Sequence, residues 1–273
     1  MLLSIIIPVH NEQLTIENLI ESIYKKEIDQ SKFEVIIVDD FSTDKTPEVC
    51  LKYLRSFNNL KYIACPVNVG CGQARNIGYK NSTGKFIWCV DADDTICNLD
   101  KIISKLENKN VDCLYLNFKT SKNESKFRTV HTIQDLAYTP IGPWCRIYKR
   151  EFYVSFPNYR PEDVTPFYLM IDRVQLIDSI DDICYIYNVD NPNAHSRCHD
   201  FCNENPGDLF DYAIENRLIK NNLDDKWISG ILRCLADMYD IRNKIKHIEV
   251  KRSLLGRIKY LNNKIFNEKK FCH

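Results

Sequence analysis

Along the N-terminal half, short apolar runs alternate with amphipathic stretches. Leu3 to Ile7 is an aliphatic run closed by Pro8, the pattern of a buried strand. Thr15 to Lys26 sets Ile16, Leu19, Ile20 and Ile23 at helical spacing, which predicts an amphipathic helix. Phe33 to Val38 predicts a second buried strand ending on Asp39 and Asp40. Ser42, Thr43 and Asp44 then offer capping groups for a helix through Val49, Leu51, Tyr53 and Leu54. Leu60 to Cys65 reads as a third strand. Asn68 to Gly78 reads as a glycine-bearing turn entering a helix, which stops near Gly84, a residue suited to a C-cap. Phe86 to Val90 is the fourth strand, and it runs straight into Asp91, Asp93 and Asp94.

Strand–helix alternation of this kind implies a parallel, doubly wound sheet with right-handed crossovers. Ligands of such sheets sit outside the carboxyl ends of the strands. The chemically unusual residues fall there: Pro8, Val9 and His10 after the first strand, Asp39 and Asp40 after the second, Asp91 and Asp93 after the fourth. Carboxylates crowded together repel, so the acidic turn has two readings. It is a solvated cap for the next helix, or it holds a hard divalent cation shared with substrate phosphates. Convergence of three strand ends on one crevice favours the cation. No GxGxxG follows the first strand, which argues against a dehydrogenase, and no GxxxxGK[ST] is present, which argues against a P-loop NTPase.

Composition narrows the setting. The 273 residues carry 37 basic and 37 acidic side chains, so no global field favours nucleic acid as a partner. The apolar N-terminus is too short for a signal sequence, and no run approaches the ~20 residues of a spanning helix. A soluble, cytoplasmic protein is expected. The 12 cysteines are scattered, several inside apolar runs, as suits a reducing compartment. His195, Cys198, His199 and Cys202 cluster, but their spacing fits no common zinc pattern.

In the second half, Leu99 to Leu106 predicts a helix with Ile102, Ile103 and Leu106 on one face. Val111 to Phe118 predicts a strand, Lys119 to Lys126 a turn, and Phe127 to Ile133 a returning strand. Ile183 to Tyr187 predicts another strand. From Pro206 onward the pattern is helical. Residues 241–273 carry ten Lys or Arg against Glu249 and Glu268, with Ile248, Leu254, Leu255, Ile258, Leu261 and Ile265 roughly on one face. Such a helix either lies on an anionic membrane surface or packs on the rest of the protein with a solvated basic face.

Four motifs carry a resemblance. Pro8-Val9-His10-Asn11-Glu12, Val38-Asp39-Asp40-Phe41-Ser42-Thr43-Asp44, Asn68-Val69-Gly70 with Ala74-Arg75-Asn76, and Asp91-Ala92-Asp93-Asp94 stand in the order and spacing of family 2 glycosyltransferases. The close likeness covers roughly residues 1–100 and extends more loosely to about 200. It implies the GT-A fold: α/β and Rossmann-like, with a mostly parallel central sheet flanked by helices, and here a C-terminal helical extension. Residues 1–98 would form the nucleotide-sugar half, 99–200 the acceptor half, and 201–273 the helical region.

The resemblance also implies roles. Asp39 would accept from the uracil edge, with Pro8, His10 and Glu12 lining the base and ribose pocket; position 10 is usually tyrosine in the family. Arg75 would neutralise charge beside the nucleotide, the alternative being an ordinary exposed helix arginine. Asp91 would face the ribose and the metal shell, and Asp93 would ligate Mn²⁺ or Mg²⁺. Asp40 and Asp44 read as structural, through loop hydrogen bonds and capping. Ile141 to Arg150 resembles the family's aromatic–basic segment, with Arg146 in place of its lysine. Trp144 there is either a platform for a sugar face or a core tryptophan. Asp163 would be the catalytic base, with Glu162 as fallback or as a holder of the acceptor; simple helix capping is the alternative for the pair. His195, Ser196 and Arg197 would touch the diphosphate or acceptor, although the family's arginine directly after the tyrosine-bearing strand is missing.

The activity implied is inverting, metal-dependent transfer from a nucleotide sugar, chiefly a UDP-sugar, to a glycan or lipid-linked acceptor; a contact of 241–273 with the inner face of the membrane would suit a lipid-linked acceptor, packing on the rest of the protein being the alternative. The rivals are a catalytically silent nucleotide-binding scaffold docked by its basic C-terminal helix, and a nucleotidylyltransferase. The latter normally carries a glycine-rich arginine–lysine loop after the first strand, which Pro8 to Glu12 is not.

Overall fold

A computed structural model describes residues 1–26, 28–132, 135–136, 139–140, 142–156, 162–163, 166–167, 170 and 173–191. All lie in Met1–Cys198, the first of the two units into which the chain divides. Strands β1 (Leu3–Val9), β2 (Phe33–Asp39), β3 (Leu60–Ala64) and β4 (Phe86–Cys89) are parallel and ordered β3-β2-β1-β4. Helices α1 (Ile16–Tyr24), α2 (Thr46–Leu54) and α3 (Cys71–Lys80) connect them. Every residue of β1, β2 and β4 is buried, which is why their sequences are near-continuous apolar runs, broken by Ser4, Glu34 and Asp39, rather than alternating ones.

Pro8 does not end β1, as its sequence suggested; the strand continues to Val9. Ile6 O accepts from Val90 N on the β4 side and Val9 O accepts from Asp40 N on the β2 side. The missing N–H of Pro8, two residues after Ile6, therefore faces β4. Pairing with β4 ends at Ile6 opposite Cys89, so no ladder bond is lost.

Helix α1 buries the expected Ile16, Leu19, Ile20 and Ile23. Helix α2 buries Thr46, Cys50 and Tyr53 and leaves Leu51 47% exposed. Tyr53 sets the buried face, because its hydroxyl reaches Glu17 and Glu21 of α1, each at 2.9 Å. Gly84 is not a helix cap. Helix α3 closes at Asn81, whose N–H donates to Ile77 O and Gly78 O. At Gly84 a Cβ would stand 2.5 Å from Ser4 Oγ and 2.6 Å from Ser4 N, so glycine is required by close approach to β1.

Beyond β4 come β5 (Thr95–Ile96), α4 (Leu99–Asn108), β6 (Cys113–Thr120), β7 (Ser125–Lys126), β8 (Arg146–Lys149) and β9 (Ile177–Tyr187). The sheet continues β4-β8-β6-β9-β5, with β7 on β6. Strand β8 is antiparallel to both β4 and β6, whereas β6 and β9 are parallel. The result is a mixed α/β, Rossmann-like sheet with flanking helices, parallel on the β1 side.

No strand forms over the described residues 127–132 of the expected returning strand, and the short β7 (Ser125–Lys126) lies within the expected turn. Arg128 N donates to Asn117 Oδ1 (2.6 Å) and Val130 N to Ser179 Oγ (3.0 Å), so side chains take the backbone donors that a ladder would have used. No helix among the described residues is long and apolar enough to cross a membrane. His195, Ser196 and Arg197, the His195–Cys202 cluster, the C-terminal helical extension and the basic segment 241–273 lie outside the described residues.

Candidate active site

Three loops leave the carboxyl ends of β1, β2 and β3, and their polar side chains knit them together. Asp39 is 2% exposed; its Oδ1 accepts from Ser42 N at 2.8 Å, and its Oδ2 accepts from the Tyr62 hydroxyl. Asp40 turns the other way and takes Val69 N (2.5 Å) and Gly70 N (2.8 Å), pinning the turn before α3. Gly70 there has φ +85°, a conformation that costs any residue with a Cβ. Asp44 accepts from Thr46 N at the start of α2 and from Gln13 N in the β1 loop. Asp40 and Asp44 therefore build the loops.

His10 is half-buried. Its Nδ1 lies 2.7 Å from Asp40 O, an acceptor only, so Nδ1 carries the proton and Nε2 accepts from Asn11 Nδ2 at 3.2 Å. That fixes the ring at the mouth of the β1 loop. Glu12 N donates to Thr46 Oγ1 (2.8 Å), and the Glu12 carboxylate accepts from Thr15 Oγ1 (2.6 Å).

The three residues of the α3 motif divide the labour. Ala74 packs on Ile36, Val38 and Cys65 under the sheet. Asn76 clamps the backbone of Phe156, donating to its carbonyl (2.7 Å) and accepting from its N–H (2.8 Å). Arg75, between them, is 5% exposed. Its Nη1 lies 2.8 Å from Glu162 Oε1, its Nη2 2.9 Å from Asp91 Oδ1, and its guanidinium carbon 5.1 Å from the Phe156 ring centre. It is not an exposed helix arginine. Its charge is spent on the protein's own carboxylates, which brings the β4 loop and the Glu162-Asp163 turn to one place.

That pairing separates the two acids of the turn. Burial pushes Glu162 up, but Arg75 and the Cys71 thiol, 2.8 Å from the same oxygen, hold it below the usual range. Among the described residues Asp163 has no such side-chain partner. Burial, then the neighbouring Glu162, raises it to about 6, against the pull of Arg75. A carboxylate poised near neutrality beside one locked in its ionised form is the arrangement that acid–base chemistry requires.

The β4 loop is pinned from the far side of the sheet. The Tyr185 hydroxyl donates to Asp94 Oδ2 (2.6 Å) and accepts from Asp91 N (3.2 Å), and Asp94 Oδ1 takes Asn188 N (2.6 Å). Burial and the charges of Asp91 and Asp93 hold Asp94 well above the usual carboxylate range. Asp93 is raised to about 6, first by burial and then, against a bond from Asn191, by Asp91 and Glu12. Asn191 Nδ2 stands 2.7 Å from Asp93 Oδ2 and 3.3 Å from Glu12 Oε1. Among the described residues no group of three or more His, Cys, Asp and Glu side chains could hold a metal ion.

Trp144 is packed rather than presented: it is 7% exposed, stacked on Tyr185 and Tyr187 and met edge-on by Phe118, and its carbonyl accepts from Trp88 Nε1 at 2.7 Å. The core reading describes it, and an open sugar platform does not. Tyr185, Asp94, Cys71 and Asn191 were not singled out as site residues in the sequence. An alternating aromatic strand pointed weakly at Tyr185; nothing near Asn191 marks it.

Residues 4–173 match the model of the family described as glycosyl transferase family 2. Poly(ribitol-phosphate) beta-N-acetylglucosaminyltransferase TarS of Staphylococcus aureus is 39% identical over 94 residues, which is 34% of this chain and 16% of TarS. Glycosyltransferase GlyG of Streptococcus pneumoniae is 24% identical over 216 residues, covering 68% of this chain and 70% of GlyG. The fold matches the crystal structure of TarS residues 1–349 in complex with UDP-GlcNAc with a TM-score of 0.81 at 21% identity, over 96% of this chain and 81% of that one. It matches mannosyltransferase PcManGT from Pyrobaculum calidifontis, in complex with GDP-Man and Mn²⁺, with a TM-score of 0.60 at 16% identity, over 95% and 79%. The sequence match thus spans well under two thirds of the length of TarS.

Proposed function

The chain belongs to glycosyl transferase family 2, and on that premise we propose that it is an inverting glycosyltransferase that moves a sugar from a UDP-sugar to a hydroxyl of a glycan or lipid-linked glycan, in the making of a cell-surface polysaccharide. The observation that carries the reading is the pairing of Arg75 with both Asp91 and Glu162, since it unites the donor-side carboxylates with a turn that holds a near-neutral acid.

In this reading the acceptor hydroxyl attacks the anomeric carbon from the face opposite the leaving diphosphate, and Asp163 takes its proton, an assistance typically worth ~10²–10⁴-fold. Glu162 stays ionised on Arg75 and Cys71, so it holds the turn rather than accepting the proton. Asp39, with Pro8 and His10 beside it, receives the base: its bonds from Ser42 and Tyr62 use two of about four acceptor positions of a carboxylate. Binding donor and acceptor in one cleft supplies orientation.

The donor set fits a hard divalent cation, Mg²⁺ or Mn²⁺. It is all oxygen, and Asp93 faces Asp91 and Glu12 and accepts from the neutral Asn191 amide. When bound, the cation offsets the charge that develops on the departing diphosphate. Asp93 would hold it, with Asp91 nearby and already partly neutralised by Arg75.

The test is a panel of UDP- and GDP-sugars incubated with the full chain, with and without EDTA. Turnover of a UDP-sugar, lost on chelation and in Asp163→Asn, is expected. No turnover of any nucleotide sugar would instead favour a silent nucleotide-binding protein docked through its basic C-terminal segment.

A further inference from the structure

Four non-glycine residues among those described have positive φ. Asn11, Asn98 and Asn123 are asparagines, which tolerate the left-handed region, and the fourth is Phe41, at φ +63°. A bulky side chain is disfavoured there. Its ring is also 49% exposed, so the fold recovers little by burying it. A small polar residue would occupy both this conformation and this setting more readily.

The conformation is imposed from both sides. Asp40 N donates to Val9 O at 2.8 Å, and Asp40 O accepts from His10 Nδ1 (2.7 Å) and Asn68 Nδ2 (3.3 Å). Ser42 N donates to Asp39 Oδ1 at 2.8 Å, and Ser42 Oγ accepts from Asn11 N at 3.0 Å. The chain therefore turns between Asp40 and Ser42, beside the Asp39 carboxylate, and Phe41 is the corner of that turn. The loops after β1 and β3 reach the same stretch through His10 and Asn68. Strained residues cluster where ligands are held. An exposed aromatic ring at the junction of three loops, two residues from a buried carboxylate, suits a flat ligand face better than it suits the fold.

We propose that Phe41 is a binding residue of the donor site, its ring stacking on the nucleobase whose edge Asp39 receives. This rests on the glycosyltransferase reading and deepens it. Every base has a π-face, so Phe41 supplies affinity for the planar ring while Asp39 reads its edge. The turn holds the ring in place before any nucleotide arrives, so little ordering is lost on binding.

The experiment is calorimetric titration of UDP into the full chain in Mg²⁺ buffer, on wild type, Phe41→Asn and Phe41→Tyr, with a urea melt of each. Phe41→Asn should keep or raise the urea midpoint, because asparagine tolerates positive φ. The same variant should bind UDP about tenfold more weakly, as expected for the loss of one stacked ring. Phe41→Tyr keeps the ring and should bind UDP as wild type does. Unchanged UDP affinity in Phe41→Asn overturns the proposal, and so does a loss in Phe41→Tyr as large as that in Phe41→Asn. A clearly lowered urea midpoint in Phe41→Asn also overturns it, since the ring would then serve the fold. The donor panel on wild type, run in parallel, reports separately on the glycosyltransferase reading. Turnover of a UDP-sugar with UDP affinity that ignores position 41 defeats only the stacking contact, whereas wild type that neither binds UDP nor turns over any nucleotide sugar defeats the activity and the contact together.

Discussion

Arg75 Nη1 lies 2.8 Å from Glu162 Oε1, across 87 residues of sequence, and both side chains are almost fully buried. The other end of the same guanidinium holds Asp91. One planar cation thus links the loop after β4 to the turn that carries Asp163, and its forked geometry is what lets it hold two carboxylates at once.

Removing that cation leaves two desolvated acids unpaired. Arg75→Ala is expected to lose about 3–5 kcal/mol of stability, read as a lower urea midpoint, together with all transfer. Arg75→Lys carries the charge but no fork, so it should recover part of the stability and little of the activity. Wild-type turnover by Arg75→Lys would count against the link.

Asp163 acts only when ionised, and its acid is raised to about 6 by burial and by Glu162. The rate of nucleotide-sugar turnover under kcat/KM conditions should therefore climb as pH rises through about 6 and level off above it. In Asp163→Asn that limb should vanish along with roughly 10²–10⁴ of the rate. A variant retaining both would free Asp163 from its role.

Tyr185 touches no substrate in the proposed mechanism, yet its hydroxyl holds both Asp94 and the backbone of Asp91. Tyr185→Phe should keep the fold, destabilised by about 1–3 kcal/mol for the partner left unsatisfied. It should raise KM for the donor more than it lowers kcat. A purely structural tyrosine would shift the melting temperature and leave that split unmoved.

Glu34 lies in β2 beside Ser4, where burial pushes its acid up but Lys61, Thr83 and Ser4 outweigh burial and hold it at about 2. Because the folded value lies below the unfolded one, its stabilisation is present above about pH 4.5 and lost as pH falls towards 2. The difference corresponds to about 3 kcal/mol. Glu34→Gln should flatten the acid limb of a stability–pH curve measured by denaturant melts, and an unchanged limb would show that the ion pair is not what sustains it.

Gly78 lies in the last turn of α3, and within a helix alanine is ordinarily better than glycine by about 1 kcal/mol. A Cβ there would overlap Ile6 Cγ2 and crowd Val38. Overpacking a core of this kind costs typically 1–3 kcal/mol, so Gly78→Ala is expected to be net destabilising. A raised melting temperature would show that Ile6 yields.

The sequence by itself determined the parallel half of the sheet, because strands buried on both faces must be continuous apolar runs and their crossover helices must show a helical apolar stripe. It also marked Asp39, Asp91 and Asp93, since charged residues at strand ends stand out against apolar neighbours, while Arg75 and Asp163 were marked by the resemblance to family 2 glycosyltransferases. It misplaced the roles of Pro8 and Gly84, because these depend on which neighbour lies alongside. Only the tertiary structure decided that β8 inserts antiparallel between β4 and β6, that Arg75 joins Asp91 to Glu162, and that Asn191 stands between Asp93 and Glu12. Those contacts join residues 87 and 98 positions apart in the chain in the cases of Arg75 with Glu162 and Asp93 with Asn191. Local periodicity records how a segment meets the core, and carries no information about which distant polar group will be brought to its side.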